Sequence, residues 1–353
     1  MPIKGRPHRR GLRQQHSACV NISLVNEPTT AGRVCVGDCL TSSLKMSEAD
    51  GDLASMIDFR YFRCVMKREW KCPDSEINFF MFTEHPKQHY IDPRYPKLLR
   101  DFGWKKTRKN VLIIHGFNGT YSKTPMSYIR DAYLSRKDYN VFMVDWSMLT
   151  RFPCYLSALS NMKKAAQCTA QLYSAITQAG ALAKTITCVG HSLGAHVCGM
   201  ISNHLTEKQY KIVGLDPGRP LVSAYGSRQF RLGRDDAYVV HVIHTNAGFL
   251  GEEGLVGHAD FCVNGGRLQP GCHGHVMRVA RCSHFMSSCY FAASVRKKRR
   301  LVGIPCDSTC PKEQGHWGIK FDRRAVILGD DVPDKSRGMY CINFEHNEDC
   351  PFD

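Results

Sequence analysis

The stretch Thr185-Ile-Thr-Cys-Val-Gly190-His191-Ser192-Leu193-Gly194 runs from a short apolar segment into one rich in alanine and glycine. It predicts a buried strand over 185–190, followed at once by a helix over 192–205. A G-x-S-x-G sequence in this context places its serine on a very sharp strand-to-helix turn, where only glycine fits two residues to either side. The helix start also directs free N–H groups towards developing negative charge. Ser192 is therefore the candidate nucleophile.

The segments around this turn alternate between short apolar runs and helical stretches. Strands that are apolar on both faces and separated by helices form a parallel sheet covered on both sides. The predicted fold is an α/β-hydrolase fold over residues 58–353, with a mostly parallel central sheet and helices on both faces. Residues 1–57 are polar and weakly periodic, so we expect a disordered extension there. The other predicted strands are 111–115, 141–145, 211–215 and 238–245, and the other predicted helices are 126–136 and 155–178.

A serine nucleophile needs a base and an acid that orients it, and in this fold they follow the serine in the order Asp or Glu, then His. Asp216 ends the predicted strand 211–215, at the edge where such residues collect. Its rivals are Asp235 and Asp236, which precede a strand.

The histidine is chosen less easily, because several lie downstream of Asp216, among them His241, His244, His258, His273, His275, His284 and His316. His241 and His244 lie within a predicted strand, which favours packing over catalysis. His284 lies in Cys282-Ser283-His284, just before a helix-like stretch that reaches Ala293. A disulfide-anchored loop there could carry the ring over Ser192, so His284 is the leading candidate.

Ester hydrolysis through a serine also requires two backbone donors for the developing oxyanion. One donor belongs to the residue after the nucleophile, Leu193, and the other to a loop after an earlier strand. His115-Gly116-Phe117-Asn118-Gly119 follows the strand 111–115. The N–H of Phe117 is therefore the candidate for the second donor.

The chain is strongly basic, with 48 Lys and Arg against 32 Asp and Glu, a formal charge of +16. Part of this charge is clustered at Arg296-Lys297-Lys298-Arg299-Arg300. Such a run is commonly a solvated loop, and its next interpretation is contact with anionic lipid or a sulfated glycan. Nothing else in the sequence resembles a nucleic-acid-binding module, so we expect no nucleic-acid partner.

Seventeen cysteines, many in loop-like surroundings, indicate disulfides and an extracellular, secreted protein. Cys306 and Cys310 are spaced loosely like metal ligands, but no second pair matches them. Residues 1–30 contain no apolar signal-peptide stretch, which we interpret as an incomplete N-terminus. Within the chain, no apolar run is long enough to predict a transmembrane helix.

Several of these segments belong to an ordered set of motifs that spans roughly residues 72–345. The set resembles the animal pancreatic-type lipase family, and most nearly its arthropod lipases and phospholipases A1. The resemblance implies a Ser192, Asp216 and His284 triad, with oxyanion donors Phe117 and Leu193. The motifs are Ile114-His-Gly-Phe117, Val144-Asp-Trp146, Gly190-His-Ser-Leu-Gly-Ala-His196, Gly214-Leu-Asp-Pro217, Val242-Ile-His-Thr245, Gly257-His-Ala-Asp-Phe261, Asn264-Gly-Gly266, Gln269-Pro-Gly-Cys272 and Cys282-Ser-His284.

The family's lid resembles the stretch between Cys272 and Cys282, for which the resemblance implies a disulfide. Only nine residues lie between these cysteines, and the loop 246–256 is short as well. A small cover leaves the site open to a bulky polar head group, which favours a phospholipase A1 over a triacylglycerol lipase. Loop lengths can also drift without changing the substrate.

Three features of the larger family members are not expected here. The chain ends at Asp353, so no C-terminal β-sandwich domain and no colipase partner are expected. The calcium loop of the family falls near 228–236, where Arg228 and Gly233 replace carboxylates. A cation needs several oxygen ligands, so no structural calcium and no other cofactor are predicted.

Two alternatives belong to other functional classes. One is a catalytically weak, lipid-binding protein of the yolk-protein type on the same fold, which the presence of all three triad residues disfavours. The other is a basic binding module that uses 296–300, which leaves the ordered motifs unexplained. The sequence therefore favours a serine carboxylic-ester hydrolase acting on lipids.

Overall fold

A computed structural model of the chain describes residues 64–69, 71–83, 87–297, 300–306, 309–310 and 324–344. The predicted extension 1–57, His316 and two residues of the basic run, Lys298 and Arg299, lie outside the described residues. The strands are β1 (Asn78–Phe82), β2 (Gln88–Tyr90), β3 (Lys109–Ile114), β4 (Tyr139–Asp145), β5 (Ile186–His191), β6 (Gln209–Leu215), β7 (Ala237–His244), β8 (Ala259–Val263), β9 (Val302–Cys306), β10 (Val326–Ile327) and β11 (Gly338–Ile342). The helices are α1 (Leu98–Asp101), α2 (Met126–Arg136), α3 (Tyr155–Gln178), α4 (Leu193–Ile201), α5 (Val222–Tyr225) and α6 (Val276–Val295).

The strands form one sheet in the order β10-β9-β11-β8-β7-β6-β5-β3-β4-β1-β2. The seven strands from β11 to β4 are parallel to one another. Antiparallel pairs extend the sheet at its two sides, β1 with β2 beyond β4, and β9 with β10 beyond β11. The predicted α/β-hydrolase fold with a mostly parallel sheet is confirmed. The carboxyl ends of β3, β5, β6, β7 and β8 therefore meet at one edge.

Helices cover both faces because the strands alternate their buried side chains between two cores. Leu112 and Ile114 of β3 belong to the core that contains Leu159 of α3. Val111 and Ile113 of the same strand belong to the opposite core, with Ile129 of α2. A strand that is buried on both faces reads as a continuous apolar run, as the sequence of β3 does.

The predicted helices 126–136 and 155–178 coincide with α2 and α3. The predicted helix 192–205 is shorter, since α4 ends at Ile201 and a 3₁₀ turn, Ser202–His204, follows it. None of the helices in the described ranges is long and apolar enough to cross a membrane.

Six disulfides join cysteines within the described ranges, and Cys289 is also disulfide-bonded. Cys306 and Cys310 bond to different partners, so the pair cannot supply thiolate ligands to a metal. This number of disulfides fits an oxidising compartment. The pairs are Cys64–Cys154, Cys72–Cys168, Cys188–Cys198, Cys262–Cys310, Cys272–Cys282 and Cys306–Cys341.

One buried histidine of the central sheet has no polar partner among the residues that the structure describes. His241 of β7 is 2% exposed, and neither ring nitrogen makes a hydrogen bond. Burial, together with the nearby charge of Lys211, lowers the pKa of His241 to about 3. An unfolded chain binds this proton near pH 6.5. The unfolded state is therefore favoured as pH falls from about 6.5 towards 3.

We predict that His241→Leu raises the free energy of unfolding by about 1–3 kcal/mol at neutral pH, because it removes unsatisfied buried polar atoms. The gain should be larger at pH 5 than at pH 7.5, since the wild-type ring resists protonation in the folded state. Urea denaturation at both pH values measures this difference. His273→Leu, at an exposed position, is the control. Equal gains at the two pH values would contradict the assignment of the pH dependence to His241.

Candidate active site

Ser192 lies alone between β5 and α4, on the turn that the sequence predicts. Its backbone has φ 56° and ψ −124°. Residues other than glycine rarely adopt positive φ, and such a conformation costs about 1–3 kcal/mol unless its surroundings impose it. The Ser192 N–H donates a hydrogen bond of 3.0 Å to the carbonyl of Leu215, the last residue of β6. This bond ties the turn to the neighbouring strand.

The two glycines of the motif are required by backbone contact rather than by conformation. A Cβ atom at Gly190 would lie 2.2 Å from the carbonyl oxygen of Gly194. A Cβ atom at Gly194 would lie 2.3 Å from the carbonyl oxygen of Ile114 in β3. Both distances are far below van der Waals contact, so the turn can close only without these side chains. The turn is thereby packed against the end of β3.

Asp216 follows β6 directly, and its carboxylate is fully buried. Oδ1 accepts the backbone N–H groups of Thr245, at 2.9 Å, and of Asn246, at 3.0 Å. Oδ2 lies 2.6 Å from Nδ1 of His284. The structure therefore brings Asp216 and His284 together.

The two rival carboxylates lie at the opposite end of the sheet, before the first residue of β7. Asp235 forms an exposed ion pair with Arg228 at 3.0 Å. Asp236 accepts the Gly233 N–H at 2.8 Å, and burial raises the pKa of its carboxyl to about 6. Neither contacts His284. Within the described part of the chain, no cluster of three or more His, Cys, Asp and Glu could hold a metal ion.

His284 lies in the middle of α6, which corrects the prediction that it is on a loop before a helix. The helix begins at Val276, eight residues earlier, and runs without a break to Val295. The backbone carbonyl of His284 lies 3.2 Å from Nε2 of His191. Burial and the nearby His284 ring keep the pKa of His191 well below its usual value, so His191 stays neutral and donates this bond. His284 is thus held by a helix and a buried donor.

Ser192 and His284 are not joined directly in the part of the chain that the structure describes. No hydrogen bond links the Ser192 hydroxyl to the His284 ring, although His191, next to Ser192, lies 4.6 Å from that ring between centroids. Catalytic hydrogen bonds are often long before substrate binds. Asp216 and His284 are therefore in contact, and Ser192 follows directly after His191, whose ring packs beside that of His284.

The candidate oxyanion donors lie on two neighbouring elements, Phe117 after β3 and Leu193 at the first position of α4. Neither N–H has a hydrogen-bond partner among the described residues, whereas the N–H of Asn118 bonds to Thr150 at 2.7 Å. His115 fixes this loop, since its Nδ1 lies 2.9 Å from the Gly116 carbonyl and its Nε2 accepts the Trp146 N–H at 3.1 Å. Nε2 also lies 3.1 Å from Oδ1 of Asp145, so the ring joins this loop to the end of β4.

Sequence reasoning missed a second bracing histidine, His196 of α4. Its Nε2 lies 2.7 Å from the Gly218 carbonyl, and its Nδ1 accepts the Leu232 N–H at 3.0 Å. Burial lowers the pKa of His196 to about 4, so the ring is a neutral donor and acceptor. It holds the loop after Asp216 against α4. The available signal was a polar residue inside an otherwise apolar helix.

A buried pair of a histidine and a carboxylate supports the loop between β7 and β8. His244 and Asp260 are both fully buried, and their side chains are 2.9 Å apart. Burial opposes the charge on His244, but the bond to Asp260 raises its pKa. Asp260 also accepts the N–H groups of Val256 and Gly257 at 2.7 and 2.8 Å. The short loop 246–256 is therefore fastened to the sheet.

The predicted lid is the stretch from Cys272 to Cys282, whose sulfur atoms are bonded with Cα atoms 5.6 Å apart. Its second half is the first part of α6, with Val276 66% exposed. Beside it lies a cavity of about 460 Å³. Its lining includes Asn246, Phe249, Arg267, Leu268, Val276 and Ala280. The cavity adjoins the Asp216–His284 pair, because the Asn246 N–H bonds to Asp216 and Ala280 lies one helical turn before His284.

The sequence profile of the Lipase family matches residues 45–317 of the chain. Lipase member H-A of Xenopus laevis is 36% identical over 208 residues, which are 57% of this chain and 45% of that protein. Phospholipase A1 of Vespula maculifrons is 32% identical over 260 residues, 67% of this chain and 84% of that protein. Pancreatic lipase-related protein 2 of Mus musculus is 28% identical over 297 residues, 73% of this chain and 61% of that protein. The chain spans less than half the length of the Xenopus relative.

Proposed function

Because the chain belongs to the Lipase family, we propose that it hydrolyses carboxylic esters of lipids through an acyl-enzyme on Ser192. The observation that carries the proposal is the 2.6 Å contact between buried Asp216 and His284, at the sheet edge where the strained Ser192 turn lies. This combination of a nucleophile, a base and a buried orienting carboxylate is typical of serine hydrolases. The strain at Ser192 is of the kind that persists at functional sites.

In the proposed mechanism, Ser192 Oγ attacks the ester carbonyl carbon while His284 Nε2 accepts the hydroxyl proton. Asp216 stabilises the resulting imidazolium, and its two backbone donors orient the carboxylate. The N–H groups of Phe117 and Leu193 stabilise the tetrahedral oxyanion. The imidazolium then protonates the departing alcohol, and a water molecule, deprotonated by His284, releases the acyl chain as a carboxylic acid.

For the substrate class, we propose a phospholipid, with release of the sn-1 acyl chain. The lid contains only nine residues between its cysteines, so it covers little of the site. The relative from Vespula maculifrons, of which the chain covers 84%, is named phospholipase A1. The cavity beside the lid combines apolar walls with one cation, Arg267. This combination suits an acyl lipid with an anionic phosphate.

Arg267 is held at this cavity by its own loop. Its carbonyl accepts the Asn246 side-chain N–H at 2.7 Å, and its Nε donates to the Ala247 carbonyl at 3.3 Å. A Cβ atom at Gly248 would lie 2.6 Å from Nη2, so the guanidinium packs directly on this glycine, whose φ of +79° disfavours other residues. Among the described residues, the only carboxylate paired with the guanidinium is that of Glu253, 3.9 Å away. Most of the five N–H donors therefore remain for a phosphate.

We also propose that the protein acts outside the cell and that its basic run contacts an anionic lipid surface. Arg296 and Lys297 are partly used within the fold. Arg296 packs on the Tyr128 ring at 5.0 Å, and Lys297 pairs with Asp331 at 2.9 Å. Arg300 is exposed. The run can then add affinity through Arg300, with Lys298 and Arg299 as its remaining charges.

Ser192→Ala should abolish ester hydrolysis without unfolding the chain, because it removes only the nucleophilic oxygen. The wild type should release sn-1 fatty acid from phosphatidylcholine faster than it hydrolyses a triacylglycerol emulsion. Titration of released fatty acid, with positional analysis, measures both activities. Equal activity in the variant would refute the nucleophile. Triacylglycerol cleavage alone would refute the phospholipid preference, and a folded wild type without activity would favour the lipid-binding alternative.

Arg267→Gln should lower kcat/KM for phosphatidylcholine by about 10-fold or more, the value of a charge-assisted hydrogen bond. Activity on a soluble short-chain ester should stay within about twofold, because that substrate has no phosphate. For Arg267→Lys, kcat/KM for phosphatidylcholine should lie between those of the wild type and Arg267→Gln, since lysine keeps the charge but lacks the planar donor pair. The control is Arg278→Gln, an exposed lid arginine. A parallel loss on both substrates would show that Arg267 only supports the loop.

Replacing Lys298, Arg299 and Arg300 by alanine should weaken binding to vesicles that contain anionic phospholipid. The loss should shrink as salt rises from 50 to 500 mM, because exposed charges are screened. Activity on the soluble ester should be unchanged, and cosedimentation with the vesicles measures the binding. Unchanged binding at low salt would contradict the proposed contact.

A further inference from the structure

One disulfide encloses the candidate nucleophile. Cys188 is the third residue of β5, and Cys198 lies in the second turn of α4. Their bond spans a sequence separation of 10, so it closes a ring that contains the whole turn from Gly190 to Gly194. Both cysteines are buried, at 1% and 0% exposure, in the core between the sheet and α3. The bond therefore joins the strand that enters the turn to the helix that leaves it.

The other disulfides within the described ranges connect other parts of the fold. Two of them tie the segment before β1 to the start and middle of α3. Two more fasten the region of β8, β9 and β11, and one closes the lid. A short ring restricts the unfolded chain less than a long one does. The Cys188–Cys198 bond should therefore add less to the free energy of unfolding than Cys262–Cys310, whose sequence separation is 48.

The turn needs a restraint of this kind. Positive φ at Ser192 is an unfavourable conformation that its surroundings must impose. The turn could relax if the start of α4 moved away from β5. The disulfide opposes that movement, since it fixes the distance between the strand and the second helical turn. The same ring carries the Leu193 N–H, so its relaxation would displace both the hydroxyl and one oxyanion donor.

We propose that the Cys188–Cys198 disulfide is a positioning element for catalysis, which holds Ser192 and the Leu193 N–H in their reactive arrangement. The inference rests on the proposed ester hydrolysis at Ser192. A purely structural disulfide would lower stability and leave kcat unchanged. Loss of a positioning disulfide lowers kcat even at a temperature where the protein is still folded. KM for a small ester changes little, because the substrate-contacting side chains are untouched.

The test compares the double variant Cys188→Ala/Cys198→Ala with Cys306→Ala/Cys341→Ala, which removes a bond far from the turn. Kinetics on a soluble p-nitrophenyl ester should show kcat reduced by about 10- to 100-fold, the cost of a displacement of about 1 Å. KM should stay within about twofold, at a temperature where circular dichroism shows both variants folded. The control pair should lose thermal stability but keep its kcat. Unchanged kcat in the first variant, with only a lower Tm, would overturn the proposal.

A second variant and a second measurement test the positioning role if the first variant does not fold. Cys188→Val/Cys198→Ala fills the strand position with a residue suited to a buried strand and serves if the first variant does not fold. The rate at which an organophosphonate labels Ser192 reports the reactivity of the hydroxyl without turnover. It should fall by a similar factor in either variant. A wild type that does not hydrolyse the ester would refute the proposed function, and an unchanged labelling rate would refute the positioning role.

Discussion

The contact between the backbones of Gly190, Gly194 and Ile114 is the constraint on which the site depends. It allows β5 to turn into α4 within a single residue, and it leaves Ser192 with positive φ above the end of the sheet. Because β3 and β6 are the parallel neighbours of β5, their following loops lie on either side of that residue. The loop after β3 carries Phe117, and the loop after β6 begins with Asp216. One backbone packing contact thereby sets the neighbours of the serine.

Buried histidines hold the polar parts of this arrangement in place. His115 fixes the loop that carries Phe117, His191 holds the backbone of His284, and His196 fixes the loop after Asp216. A neutral imidazole offers one donor and one acceptor in a rigid ring, so it can bridge two elements that have no regular hydrogen bonds between them. Burial keeps His191 and His196 uncharged, since it lowers the pKa of each ring. The Asp216 carboxylate therefore lies close to two buried rings that carry no charge.

The sequence predicts the fold well because the strands of a buried parallel sheet are continuous apolar runs. The run 111–115 and the segment around Ser192 needed only period and composition for their assignment. The bounds of α4 and α6 were less accurate, since a 3₁₀ turn ends the first and tertiary packing extends the second over His284. Spacing could place Asp216, which ends a strand, but not His284, which meets it across 68 residues of chain. His196 and the Cys188–Cys198 bond depend on contacts between elements, which no local pattern contains.

The lid and His284 are parts of the same helix. Cys272 and Cys282 anchor the lid, and α6 continues from Val276 through His284 to Val295 without interruption. A lid on flexible hinges could change its length and sequence without affecting other parts of the site. Here a change in the pitch or packing of the first part of α6 also moves the His284 ring, two helical turns further on. Under the proposed function, a change in this segment that altered the substrate range would also alter turnover. A related protein with a longer lid could keep the geometry of His284 only if the extra residues were inserted before Val276.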